Sequence, residues 1–199
     1  MSEFWIFFTL GFEHISDING YDHILFIVAL CAVYILQDIG KILILVTAFT
    51  IGHSITLALA TLQLVSISTP LVEWAIALTI FLTALGNYFV PDSRKPSKSA
   101  VNFRYFAALF FGLIHGLGFS NYLRGLLGKD ESIFMQLLAF NVGLEAGQLL
   151  IVAVILLLAF VFVSIGRMPR REWNLLLSGA SGGIAILMMI ERWGDLLGA

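Results

Sequence analysis

The sequence predicts an all-α fold: a polytopic transmembrane helix bundle of about six spans plus an N-terminal half-helix, forming a single domain over residues 1–199. Three observations carry this. Hydrophobic residues make up 59% of the chain, and mean hydropathy is +0.96. Charged residues make up only 12%, where a soluble domain carries about 25%. The apolar residues are also gathered into runs close to the ~20 residues that cross a bilayer as a helix. No basic patch with interleaved aromatics marks a nucleic-acid surface. The one cysteine, Cys31, allows neither an intramolecular disulfide nor a thiolate cluster. It reads as a small apolar residue facing a neighbour.

Residues 4–14 are apolar and aromatic. At 1.5 Å per residue they cover only ~15 Å, half a bilayer, and read as the half-helix. Glu3 is the only charge ahead of this short run, so no cleavable signal is expected. Asn19-Gly20 breaks the segment. Longer runs follow at about 22–36, 39–63, 70–90, 102–123, 133–164 and 173–194. Tyr21 and Tyr34 suit interface anchors around the first, and Pro70 suits the first turn of the third. Connections are brief apart from the polar stretch 91–100, so no linker divides the chain.

With six spans, one side receives Lys41, Arg94, Lys95, Lys98, Arg104, Arg167, Arg170 and Arg171. The other receives Arg124, Lys129 and Arg192. The positive-inside rule puts the larger set in the cytoplasm. The expectation is an integral protein of the bacterial inner membrane with both termini outside and Ser97 reactive from the cytoplasm.

Costly polar groups then stand out. His14, Asp17, Asp22 and His23 crowd the opening stretch, and lipid penalises such groups unless they pair or hold a metal. His53 shares a helix face with Thr50 and Ser54. His115 is ringed by Gly112, Gly116 and Gly118, which allow close helix approach. Asn141, Glu145 and Gln148 form one stripe on an apolar helix, and Glu73 and Glu191 lie near the outer ends of their spans. Counted from the outer ends, His53, His115 and Glu145 fall at similar depths. A turn at Asn19-Gly20 would bring His14 and His23 over them. A single membrane histidine often makes only an interhelical hydrogen bond; four in or beside one layer point to a metal. Imidazole with carboxylate suits zinc, nickel, cobalt, iron or manganese better than Cu(I). The nearby carboxylates serve as ligands or as acceptors that orient imidazole. Thr79, Thr83, Asn87, Ser178 and Ser181 are the polar candidates for an inner path.

The stretches Gly11-Phe12-Glu13-His14 with Gly20-Tyr21-Asp22-His23, Phe49-Thr50-Ile51-Gly52-His53-Ser54, Phe111-Gly112-Leu113-Ile114-His115-Gly116 and Phe140-Asn141-Val142-Gly143-Leu144-Glu145-Ala146-Gly147-Gln148 together resemble the HupE/UreJ family of membrane proteins. The likeness runs in order over nearly the whole chain. That family is associated with hydrogenase and urease operons and is taken to move nickel or cobalt. The resemblance implies that His14, Asp22, His23, His53, His115 and Glu145 are the functional positions. Asp17, Ser54, Glu73, Asn141 and Gln148 are expected around them or along the path. Nickel-permease members tend to carry a second histidine soon after the His-Gly pair; here Gly118-Phe119 follows instead, which leaves the metal open among zinc, nickel and cobalt.

The leading expectation is a divalent-metal permease. The alternative is an intramembrane metal-dependent hydrolase, in which Glu145 or Asp22 would act as general base. A metal-sensing or structural subunit is the third reading. Expected partners are the lipid bilayer, the metal ion, and either a second copy of the chain or a metalloenzyme-maturation protein.

Overall fold

The computed structural model describes residues 2–90, 98–126 and 133–198. Arg94, Lys95, Lys129 and Ser97, on which part of the topology rests, lie outside the described residues. Within them the chain is helical, with no strand. The helices are α1 (Glu3–Ser16), α2 (Asp22–Cys31), α3 (Ile39–Thr61), α4 (Thr69–Tyr88), α5 (Lys98–Gly118), α6 (Ser120–Leu126), α7 (Ile133–Ala159) and α8 (Arg170–Leu197). A 3₁₀ turn at Leu36–Asp38 leads into α3, and α7 continues as a π-helical segment over Phe160–Ile165.

Among the described residues, four stretches are long and apolar enough to cross a membrane: Leu36–Thr61, Thr69–Tyr88, Ile133–Ile165 and Arg170–Leu197. α5 is not among them; Lys98, Asn102 and Arg104 make its first turns polar. α1 and α2 are each too short alone. Pro70 does open α4.

The run expected over 22–36 is helical only to Cys31. The chain then tightens, with the Ala32 amide donating to Ala29 and the Tyr34 amide to Cys31. The same Ala29 carbonyl also accepts a much shorter hydrogen bond from Asn87 Nδ2, at 2.6 Å. That partner satisfies a helix-end acceptor which lipid could not. Tyr34 is consequently not an interface anchor: it is buried, with the Arg104 guanidinium 6.0 Å from its ring centre. Tyr21 is exposed, and Cys31 is a fully buried free thiol.

Three helix pairs make the bundle. α1 lies parallel to α7, with Gly11 against the Phe140 carbonyl and Gly143 against the Phe8 carbonyl. α3 lies parallel to α5, with Gly52 against the Leu109 carbonyl and Gly112 against that of Phe49. A Cβ at any of these four glycines would run into backbone, so only glycine permits the approach. α4 lies antiparallel to α8, since Glu73 meets Arg192 at one end and Asn87 meets Ser178 at the other. α3 and α7 cross antiparallel, placing Thr47 against Glu145 and His53 beside Phe140.

Candidate metal centre

α1 ends two residues after His14, and α2 begins one residue before His23. In the intervening turn, Asp17 Oδ1 accepts the Asn19 amide at 2.8 Å, which bends the chain. The turn brings the two imidazoles to 4.7 Å between ring centres. His53 comes up from α3, 6.0 Å from His14 and 6.1 Å from His23. His115, near the end of α5, lies 5.2 Å from His23. His53 and His115 are fully buried, and His23 nearly so. Rings of Phe26, Phe49, Phe119 and Phe140 wall the group, Phe119 lying 4.0 Å from His14.

The hydrogen bonds fix where the free lone pairs are. His23 Nδ1 lies 3.0 Å from Asp22 Oδ1. An ionised carboxylate only accepts, so Nδ1 carries the proton and Nε2 holds a lone pair. Thr79 spends its hydroxyl proton on the Ile76 carbonyl at 2.7 Å. The 3.0 Å contact from His115 Nε2 to Thr79 Oγ1 is then donated by the imidazole, leaving the lone pair on Nδ1. His23 Nε2, His115 Nδ1, His14 Nε2 and both nitrogens of His53 are buried without a hydrogen-bond partner. Five orphaned nitrogens in one place are costly unless something else engages them.

One ligand nitrogen from each of His14, His23 and His53 can be chosen so that all lie within 4.8 Å of one another. Nitrogens bound tetrahedrally to one metal at 2.0–2.1 Å sit about 3.3–3.4 Å apart, so each ring is within roughly 1 Å of a ligating position. The donor set suits zinc, nickel or cobalt.

Asp22 stands behind this trio. Its Oδ1 accepts from both the backbone amide and the ring of His23, and its Oδ2 lies 3.5 Å from Arg192. Arg192 also meets Glu73 Oε2 at 3.1 Å and donates to the Glu73 carbonyl at 2.7 Å. Such a carboxylate orients the imidazole and makes it a better donor. Glu145 stands apart. Its Oε1 accepts from Thr47 at 3.0 Å, two turns from His53 along α3, roughly 9 Å. Of the remaining expected residues, Gln148 accepts from Thr50 at 2.7 Å, Ser54 donates to the Thr50 carbonyl, and Asn141 to that of Leu137. Thr79 supports His115, whereas Asn87 and Ser178 belong to a separate polar cluster.

From the sequence, Arg192 stands out only as a topology charge. The signal was present: Asp22 and Glu73 are carboxylates on apolar helices, each needing a cation. Their common partner on a distant helix was not readable from spacing.

The profile described as HupE / UreJ protein matches residues 1–194. The chain belongs to the HupE/UreJ family. No curated protein and no solved structure matches it. HupE/UreJ membership and the four apolar helices fit an integral membrane protein of a family tied to nickel and cobalt handling. They do not favour the hydrolytic alternative.

Proposed function

We propose that this HupE/UreJ protein is a permease for a divalent transition-metal ion of the nickel, cobalt and zinc class. His14, His23 and His53 act as ligands, with His115 as the fourth. The observation that carries the reading is the convergence of buried, unpartnered imidazole nitrogens from separate helices. Neutral imidazoles replace part of the ion's hydration shell without binding it irreversibly, as a carrier requires. Asp22 supplies the charge nearest the ion and holds His23 in the ligating tautomer. Arg192 shares that carboxylate while the ion is elsewhere. Glu145, a turn or two deeper, serves as a later station, facing the Thr47 hydroxyl.

The reading extends to topology. α1 with α2, and α5 with α6, each make one interrupted crossing, which brings the crossings to six with both termini outside. The whole chain is one domain of the bacterial inner membrane.

The test joins two measurements on protein purified without chelator. Metal content by elemental analysis is expected near one ion per chain, and proteoliposomes are expected to take up nickel, cobalt or zinc above empty-vesicle controls. Bound metal without uptake of any of the three would exclude the permease.

A further inference from the structure

Three motifs occur twice, in the same order, about half a chain apart. Gly11-Phe12-Glu13-His14 returns as Gly112-Leu113-Ile114-His115. Ala48-Phe49-Thr50-Ile51-Gly52 returns as Ala139-Phe140-Asn141-Val142-Gly143, and Pro70-Leu71-Val72-Glu73-Trp74 as Pro169-Arg170-Arg171-Glu172-Trp173. Each copy falls on the same part of its helix: the end of α1 and α5, the body of α3 and α7, the head of α4 and α8.

The packing repeats residue by residue. Gly11 on Phe140 has its counterpart in Gly112 on Phe49. Gly143 on Phe8 has its counterpart in Gly52 on Leu109. The α1–α7 pair is thus the α5–α3 pair with the halves exchanged. The α4–α8 pair is its own counterpart, and it is antiparallel. A two-fold axis that exchanges two antiparallel helices runs across them, so the halves have opposite orientation.

We infer that the chain is an inverted repeat, α1–α4 against α5–α8, and that the imidazole cluster lies where the repeats meet. The equivalent residues His14 and His115 flank His23 at 4.7 and 5.2 Å. Both sit just before a break, between α1 and α2 and between α5 and α6. Interrupted helices in matching positions of two inverted halves are where carriers hold their substrate. The glycine contacts weld α1 to α7 and α3 to α5 as two bodies that the axis exchanges. Between these bodies the contacts include side-chain hydrogen bonds from Thr47 to Glu145 and from Thr50 to Gln148. Such bonds can re-form in a new register, whereas interlocked backbone cannot slide. The two bodies rock against each other around the cluster, opening it to each side in turn. The repeat stands without the permease reading; only the alternation of access rests on it.

Two experiments in a Cys31→Ala background test this. Leu71→Cys and Arg170→Cys occupy equivalent exposed positions. A membrane-impermeant maleimide applied to one face is expected to label one and not the other; labelling of both from the same face overturns the inverted repeat. Spin labels on the exposed residues Ile55 and Leu138 report across the bodies, and on Ile55 and Phe110 within one. Adding Zn²⁺ is expected to shift or split the first distance by roughly 3–5 Å and leave the second unchanged. A first distance that stays single and fixed overturns the rocking. Movement without uptake by the wild-type protein in liposomes would remove the permease reading and support the repeat and its motion.

Discussion

Among the described residues, two buried polar clusters are built on opposite rules. Near one end of the α4–α8 pair, Asn87 donates to the Ala29 carbonyl and to Ser178, and accepts from Arg104. Asn174 donates to the Asn87 carbonyl and accepts from Ser178. Every side-chain nitrogen and oxygen of Asn87, Asn174 and Ser178 has a partner. Toward the other end, five imidazole nitrogens have none. The first cluster is a fastener, because removing any member orphans the rest. The second is held in place by α1, α2, α3 and α5 despite its own desolvation cost, which is how a binding site differs from a structural one. Burial and polarity are shared by both, so neither property identifies the site; hydrogen-bond satisfaction does.

The largest expected effect comes from breaking the fastener. Asn87→Ala should lower unfolding stability in detergent by about 2–3 kcal/mol, since several buried groups lose partners together. Metal bound per folded molecule should stay unchanged, which equilibrium binding on the folded fraction would check. His53→Leu should do the reverse. It removes two unsatisfied nitrogens and keeps the volume, so stability should hold or rise, while metal affinity should fall beyond the roughly 10–100-fold typical of a supporting residue. A drop in melting temperature with intact affinity would place His53 in the fastener class.

Asp22→Asn probes the support itself. It keeps the shape but removes the charge beside His23, and affinity measured by calorimetry should fall by about 10–100-fold. Thr79→Val leaves His115 Nε2 without its acceptor and frees the tautomer; the loss should be about tenfold or less. Smallest of all, Thr47→Val removes the Glu145 contact. It should cost about 0.6 kcal/mol of stability, the average for one hydrogen bond between membrane helices, with no change in affinity. A marked loss of affinity there would draw Glu145 into the imidazole site.

Much was legible in the sequence because membrane chemistry leaves few options. Apolar length set α3, α4, α7 and α8 to within a few residues, and the cost of polarity in lipid drew attention to every histidine. The break at Asn19-Gly20 foretold that His14 and His23 meet. The glycines around His115 mark a close helix approach, and Gly112 and Gly116 do seat α5 on α3.

Other features were decided only by the tertiary structure. Counting residues from the outer ends puts Glu145 level with the histidines, but helix pairing sets the true depth: Glu145 meets Thr47, roughly 9 Å along α3 from His53. α2 stops at Cys31, and a side chain from α4, Asn87, shares the Ala29 carbonyl in its last turn with the Ala32 amide. Arg192 reaches Asp22 because α8 runs antiparallel to α4, a relation no local pattern encodes. The sequence alone determined which groups lipid would not tolerate unpaired, since that follows from solvation of the residue itself. Which groups became partners, and which nitrogens were left over for an ion, depended on the helix pairings, since hydrogen bonds and ligation need distances that only packing sets.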